Sequence, residues 1–215
     1  MQLLSVNVGR PRDVAHGDRT VPTGIFKQAI ADRVRVGSTN IEGDGQADLT
    51  VHGGVDLAVY AYPHEHYAYW EQELGRHDFQ PGQFGENLTT RGLLEDDVRI
   101  GDVLAIGSAR FEVTQPRVPC FKLALRMAAP EIVKLFLRSQ RTGFYLRVLQ
   151  EGEIGAGDTI ARVATDPLQM TVREVFQVSY AEGAGPAVIQ RAMAMPALAR
   201  NWREMLAKQL AASAT

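Results

Sequence analysis

Cys120 is the one cysteine among 215 residues, so it can form no disulfide within the chain. It lies in the run QPRVPCFKL, residues 115–123. Pro119 suits the first turn of a helix, and the apolar spacing that follows predicts a helix beginning at Cys120. The positive end of that helix, with Arg117 and Lys122 on either side of the sulfur, favours thiolate over thiol. The segment therefore predicts a reactive or metal-ligating sulfur, and the alternative is a buried cysteine that packs as a small hydrophobe.

A glycine-rich loop at residues 43–54 is the second segment that could do chemistry. Gly53 and Gly54 would let the backbone approach a ligand closely, while the neighbouring His52 donates or accepts a hydrogen bond. The two aspartates of this loop could join His52 in binding a hard cation. The alternative is an acidic loop that faces solvent.

A third loop, residues 81–89, places Glu86 and Asn87 side by side after two glycines. Either the two side chains are presented to a ligand, or Asn87 satisfies local backbone groups in a turn. Cys120 with His52 and Asn87 would also suit a cysteine-hydrolase triad, because such residues converge only in space. The sequence around Cys120 resembles neither of the common cysteine-protease signatures, which speaks against that triad.

Basic residues cluster around the thiol in the sequence. Arg117 adjoins the sulfur, and Arg141 stands in a polar turn, residues 139–143, that is able to hold an oxyanion. Together they would suit a phosphate-carrying ligand whose reactive end lies at Cys120. The alternative is a set of arginines on a solvated face.

The composition predicts a globular protein with a substantial core. Hydrophobic residues make up 45% of the chain and charged residues 22%, both ordinary values. The net charge of −2 gives no basic field for a nucleic-acid partner, and no segment suits a signal peptide or a membrane span. With a single cysteine, we expect a protein of the reducing cytoplasm.

Short β-branched runs separated by glycine turns predict a fold that is mainly β with α, a barrel or sandwich. The expected strands are residues 2–8, 33–36, 57–61, 98–106, 110–114, 143–149 and 159–163. Helices are expected after Pro63 and over residues 120–138, with a break near Pro130. Three short helices after residue 166 predict a division into a β-rich domain, residues 1–165, and a helical extension, residues 166–215.

Seven segments taken in order resemble the MOSC domain, named for the C-terminal domain of molybdenum cofactor sulfurase. The similarity is to its stand-alone bacterial branch, which ends in three helices and is linked to resistance to 6-N-hydroxylaminopurine. The segments are GDGQAD (43–48), VHGG (51–54), YAYPHEHY (60–67), FGENLT (84–89), IGD (100–102), QPRVPCFKL (115–123) and RTGFYLRVL (141–149). One departure is Gln140, which stands where the branch usually carries glycine.

The resemblance implies a twisted β-barrel that binds the molybdenum–molybdopterin cofactor, with Cys120 as the thiolate ligand of molybdenum. Asn87 and Glu86 would lie near the open side of the metal. The pterin and its phosphate would be lined by Lys27, His52, Gly53, Gly54, Arg117, Lys122 and Arg141.

The activity that the resemblance implies is reduction of N-hydroxylated compounds, including purine base analogues. Electrons would come from a separate protein, since nothing in the sequence ligates haem, flavin or an iron–sulfur cluster. The rival hypothesis is a sulfur carrier that holds a persulfide on Cys120. Family descriptions also include pyridoxal phosphate, for which no lysine here has an evident Schiff-base setting. The helical extension is expected to form a homodimer contact, dock the electron donor or cover the site.

Overall fold

The computed structural model describes residues 1–48, 53–166, 168, 170–180 and 184–212. Over these residues the chain forms twelve strands, six α-helices and one 3₁₀ helix, Val55–Leu57. The strands are β1 Gln2–Val8, β2 Arg12–His16, β3 Arg19–Thr23, β4 Gln28–Ile30, β5 Val34–Val36, β6 Val59–Pro63, β7 Leu88–Arg91, β8 Val103–Ile106, β9 Ala109–Pro116, β10 Phe144–Gln150, β11 Gly152–Ile154 and β12 Ile160–Ala164. The helices are α1 Glu65–Leu74, α2 Phe121–Met127, α3 Ile132–Ser139, α4 Val172–Tyr180, α5 Pro186–Met193 and α6 Arg200–Ala212.

Eight strands form one curled sheet in the order β12-β8-β9-β10-β6-β7-β1-β4. All its pairs are antiparallel except β6 and β7. The sheet bends until the start of β1 reaches the start of β12. There the Leu3 amide donates to the Asp158 carbonyl at 2.9 Å, and the Ile160 amide donates to the Met1 carbonyl at 3.0 Å. These bonds give the sheet its barrel-like form, and the predicted mainly-β fold with peripheral helices is confirmed.

The C-terminal helices share the core of the sheet. Phe111 of β9 and Phe176 of α4 belong to one cluster of fully buried side chains, together with Leu198 and Trp202. The Ala199 amide also donates to a sheet carbonyl at 3.1 Å. The three predicted helices are present, and their apolar faces are buried against the barrel because short helices gain most of their stability from such packing.

A second, aromatic core supports α1 and α3 on the outside of the barrel. Trp70 stacks on Phe136 with ring centroids 5.5 Å apart, and Tyr62 stacks on Phe84 at 4.5 Å. The indole N–H of Trp70 donates to the Tyr62 hydroxyl at 2.6 Å, so the buried polar atoms of this core are paired. The rings fix α3 at one side of the segment that carries the thiol.

The helix after the thiol begins one residue later than the sequence indicates. Cys120 is the N-cap of α2 in an extended conformation, so Pro119 precedes the helix rather than lying in its first turn. The expected break near Pro130 is confirmed, since α2 ends at Met127 and α3 begins at Ile132. The β2–β3 hairpin was not predicted, because its strands are largely exposed and lack a continuous apolar face.

Gln140, which stands where related sequences usually carry glycine, is the C-cap of α3 and adopts the left-handed backbone conformation. Its φ is 54° and its ψ is 19°. Its side-chain oxygen accepts hydrogen bonds from Gln177 at 2.8 Å and Arg173 at 3.5 Å, both on α4. Compared with glycine, Gln140 therefore adopts the left-handed conformation less favourably, but its side chain links α3 to the helical extension.

We expect Gln140→Gly to be more stable than Gln140→Ala by about 1 kcal/mol in urea unfolding, because glycine adopts the left-handed region without strain. Both variants lose the side-chain hydrogen bonds to α4 and keep the one from Arg173 to the backbone carbonyl of residue 140, so their difference isolates the backbone effect. Equal stability of the two would contradict the assigned left-handed conformation.

Candidate functional site

One cleft collects five of the residues predicted to act together. Its empty space is about 660 Å³, part of which is open to solvent. It lies between the loop after β3, the loop at residues 44–47, the end of β9 and the start of α2. The predicted residues that line it are Lys27, Asn87, Arg117, Cys120 and Lys122.

Cys120 is half-buried, and it is the N-cap residue of α2. Its neighbours in the electrostatics of the site are the buried Arg117 and the phenol of Tyr145. The sulfur is thus accessible to a ligand in the cleft. The buried positive charge beside it favours the thiolate, the form that acts as a nucleophile or a metal ligand.

Arg117 holds a buried guanidinium against two aromatic rings. Its central carbon lies 5.0 Å from the Tyr60 ring centroid and 5.1 Å from that of Phe136, and Nη1 donates to the Tyr60 hydroxyl at 3.4 Å. Burial works to lower the pKa of Arg117, but the neighbouring phenols and the Cys120 thiol outweigh it and raise that pKa, so the cation persists. Within the described part of the chain no carboxylate forms a salt bridge with it. The cleft therefore presents a positive charge that an anionic ligand would neutralise.

Lys27 and Asp44 form a buried ion pair at the other side of the cleft. The side chains are 8% and 1% exposed. The second carboxylate oxygen of Asp44 accepts from the Asn87 amide at 2.8 Å, and its first also accepts from the Gly9 amide at 2.9 Å. Burial lowers the pKa of Lys27, and the charge of Asp44 opposes that shift. A lysine with a lowered pKa can bind an anion while it is charged, and it releases its proton more easily than a solvated lysine does.

Both polar atoms of the Asn87 side-chain amide form hydrogen bonds within the protein. Its oxygen accepts from the Tyr60 amide at 3.1 Å, while its nitrogen donates to Asp44 and to the Asn7 carbonyl at 3.3 Å. The residue therefore joins β1 to β6 and aims Asp44 at Lys27. Its place in the cleft is that of a positioning residue.

Glu86 lies beneath the cleft and does not line it. Its carboxylate is fully buried and accepts from the Tyr67 hydroxyl, from the backbone amides of Gly82 and Phe84 at 2.8 and 2.9 Å, and from Thr89 at 2.9 Å. Burial raises its pKa, and these hydrogen bonds oppose the shift. The carboxylate organises the loop at residues 82–89 rather than reaching a ligand.

The remaining predicted residues lie elsewhere. Arg141 is outside the cleft, where its guanidinium lies 4.2 Å from the Tyr69 ring centroid and its carbonyl accepts from Tyr62. Gly53 and Gly54 line a separate surface depression beside α6. His52 lies outside the described residues, so the triad and the cation site that depend on it stay predictions.

The close approach of two loops explains two glycines at the rim of the cleft. A Cβ on Gly24 would come within 2.2 Å of the Gly45 carbonyl oxygen, and one on Gly45 within 2.7 Å of Pro11. Neither contact is sterically possible without moving backbone. The tight contact fixes the loop that carries Asp44 against the loop that leads to Lys27.

Sequence reasoning did not identify Asp44, Tyr60 and Tyr145 as residues of this site. Asp44 stands between two glycines in a loop that resembles any solvated turn, and the tyrosines lie on apolar strands. The ring of Tyr145 contacts that of Tyr60 in a tilted arrangement, with centroids 5.2 Å apart, and burial raises the pKa of the Tyr145 phenol. It remains a proton carrier beside the sulfur at neutral pH.

We expect Asp44→Asn to destabilise the protein by about 3–5 kcal/mol at pH 7, because it leaves the buried Lys27 cation without a counter-charge. Because burial places the folded-state pKa of Lys27 below 10.5, the loss should shrink as the pH rises toward that value and the lysine becomes neutral. Urea unfolding at several pH values measures both effects.

The matched control is Asp78→Asn, which breaks the exposed pair with Arg76 and should change the stability far less than Asp44→Asn does, because solvent screens an exposed pair. A loss in Asp44→Asn no larger than in this control would show that the buried pair is not the structural element we describe.

Two family models match the chain. The MOSC domain covers residues 48–161, and the YiiM-like 3-alpha helix domain covers residues 170–212. Among the described residues, no helix is long and apolar enough to cross a membrane.

Curated and solved relatives agree with these matches. The chain is 38% identical over 207 residues to YflK of Bacillus subtilis, which covers 96% of this chain and 93% of that protein. It is 33% identical over 197 residues to a Gibberella moniliformis protein named "Reductase", covering 90% of this chain but only 35% of that longer protein. The crystal structure of YiiM from Geobacillus stearothermophilus is 38% identical, with a TM-score of 0.83 over 97% of this chain and 98% of that one. The chain therefore belongs to the MOSC domain family and carries the three-helix domain of its YiiM-like branch.

Proposed function

We propose that the protein is a molybdenum cofactor-dependent reductase that converts N-hydroxylated compounds, such as N-hydroxylated purine bases, to amines. The observation that carries the proposal is the meeting of the Cys120 sulfur with the cations Lys27, Arg117 and Lys122 in one cleft. A sulfur ligand and cationic side chains in the same cleft suit a metal held by a phosphate-bearing organic cofactor.

The donor set of the cleft fits that group. Thiolate is a common ligand of d-block metals, and Cys120 presents its sulfur at the N-terminal end of α2. Arg117 is a buried cation without a carboxylate partner in the described part of the chain, which is what a cofactor phosphate would satisfy. When bound, the cofactor would supply the two electrons for breaking the N–O bond.

The side chains of the cleft would handle protons and exclude water. Reduction of R–NHOH to R–NH₂ and water consumes two electrons and two protons. Tyr145 is protonated at neutral pH, as an ordinary phenol is, and burial raises its pKa further; it borders the cleft beside the sulfur. Tyr60 and Leu57 complete an apolar wall that would limit access of bulk water to the reacting atoms.

Electrons would reach this site from a separate protein. One cysteine cannot supply the four thiolates of an iron–sulfur cluster, so the chain needs an external donor. The relative named "Reductase" supports a redox function, and most of its length lies outside the part that this chain matches. We infer that a partner supplies the electrons to the protein described here.

We expect Cys120→Ser to lose both bound molybdenum and reduction of an N-hydroxylated purine, because a serine hydroxyl, which is neutral at pH 7, does not replace the thiolate ligand. Elemental analysis of protein from molybdate-replete cells measures the first, and amine formation with a chemical reductant measures the second.

Val188→Ser, on the exposed face of α5, is the control and should retain molybdenum and activity. Full activity in Cys120→Ser would overturn the proposal. Molybdenum-free wild-type protein with a mass increment of one sulfur on Cys120 would instead favour the persulfide carrier.

Arg117→Met should weaken binding of inorganic pyrophosphate about tenfold or more, because it removes a buried charge-assisted donor from the cleft. Titration calorimetry on the full chain provides the measurement. Arg110→Met, at an exposed position of β9, should leave the affinity unchanged. Equal pyrophosphate affinities in Arg117→Met and wild type would show that Arg117 does not bind the anion.

A further inference from the structure

Three basic side chains lie beside the Cys120 cleft without a carboxylate partner. They are Arg12 on β2 and Lys122 and Arg126 on α2. Over the described residues, none of the three forms a salt bridge. The whole chain has a net charge of −2, so this positive charge is a local concentration and not a property of the whole surface.

One aromatic ring brings the two arginines together. The guanidinium carbon of Arg12 lies 4.1 Å from the centroid of the Phe26 ring, and that of Arg126 lies 5.3 Å from the same centroid. Lys122 precedes Arg126 by four residues, so the two side chains lie on the same face of α2. The β2–β3 hairpin and α2 therefore hold three cations close to one another.

Each of these cations adjoins the wall of the cleft. Lys122 is itself one of the lining residues. Arg12 is the cross-strand partner of Thr23, which lines the cleft, and directly opposite residues share one face of an antiparallel pair. Arg126 contacts Phe26, whose two chain neighbours both line the cleft. The positive charge inside the cleft thus continues onto the surface next to it.

Arg126 has nitrogen atoms that a ligand can reach. Its Nε is sealed from solvent, but Nη1 and Nη2 are accessible, and they form no hydrogen bond with any residue that the structure describes. Burial lowers the pKa of Arg126, and the charge of Arg12 lowers it further, while the charge of Glu86 opposes the shift. The two guanidinium groups are therefore close enough to repel each other, and a bound anion would relieve that repulsion.

The local structure does not favour this arrangement of charges. Lys122 lies in the first turn of α2, where the helix dipole disfavours a cation, and like charges four residues apart on a helix repel. Asp13 follows Arg12 on β2, so its side chain projects from the opposite face of that strand. The cations are thus close together and uncompensated, as in a site that receives an anion.

A phosphate group suits these donors. Guanidinium groups bind phosphate through pairs of charge-assisted hydrogen bonds, and a lysine adds a third donor group. Arg12 and Arg126 are not among the side chains that line the cleft, so the anion they would bind is separate from the cofactor phosphate assigned to Arg117. In a nucleotide the sugar separates the phosphate from the base, so the base could enter the cleft while the phosphate stays outside.

We propose that Arg12, Lys122 and Arg126 form a phosphate site beside the cleft, and that the substrates are N-hydroxylated purine nucleotides whose 5′-phosphate binds there. The inference rests on the proposed function, and it names the substrate class of that site. The phosphate is held on the surface by the hairpin and α2, and the hydroxylamino base extends toward Cys120.

Adenosine 5′-monophosphate (AMP) is the probe, because it is the type of product that the reaction would release. Titration calorimetry with the full chain should show saturable binding of AMP, at least tenfold tighter than that of adenosine, which lacks the phosphate. Arg126→Met should reduce the AMP affinity to about that of adenosine, because it removes a charge-assisted donor. Arg12→Met, at an exposed position that α2 does not need in order to fold, should also weaken AMP and leave adenosine unaffected.

Arg91→Met makes the same chemical change at the exposed end of β7 and should bind AMP as wild type does. Equal affinities of wild type for AMP and adenosine would overturn the inference, and so would unchanged AMP affinity in both Arg12→Met and Arg126→Met. A loss of AMP binding in Arg117→Met that is absent from Arg126→Met would place the phosphate inside the cleft and would also overturn it.

The molybdenum content of the same preparations separates this inference from the proposed function. AMP binding needs neither metal nor electrons, so Cys120→Ser should retain it. Molybdenum-free wild-type protein that binds AMP through Arg126 would reject the reductase and keep the phosphate site. Molybdenum bound through Cys120, with AMP affinity unaffected by either arginine variant, would keep the reductase and reject the nucleotide substrate.

Discussion

Arg117 carries a positive charge into the interior, and the arrangement of the cleft depends on how that charge is held. The guanidinium lies against Tyr60 and Phe136, which stabilise it through their ring faces but do not neutralise it. Its free side faces the space beside Cys120. A buried cation that lacks a carboxylate within the described chain would be stabilised by an anionic ligand, so the charge of Arg117 bears on both stability and ligand binding.

The supports of this charge come from parts of the chain that are distant in sequence. Phe136 lies on α3, and its position is fixed by stacking on Trp70 of α1. On the opposite side, Asn87 orients Asp44, and Asp44 holds Lys27. Because these contacts are buried and fully hydrogen-bonded, they set the distances between the cations more precisely than exposed side chains could. The barrel thus acts as a rigid frame for a cleft that is built largely from loops.

Much of the fold could be predicted from local patterns. The strand at residues 2–8, the break between α2 and α3 and the three terminal helices all follow from side-chain periodicity and from proline. The β2–β3 hairpin could not be predicted, since its mostly exposed strands carry no apolar alternation. His66 of α1 is buried and lies 2.7 Å from Glu95, a contact that local patterns could not predict because the two residues are remote in sequence.

The sequence by itself determined that the chain carries one sulfur beside basic residues, since Cys120 and Arg117 lie three residues apart on one short segment. Only the tertiary structure decided which other polar residues join them. Asp44 enters the cleft, while Glu86 turns beneath it and Arg141 lies apart. A polar residue in a glycine-rich loop has the same local signature whether it faces a ligand or the backbone. Its direction is set by contacts between segments that meet only when the barrel closes.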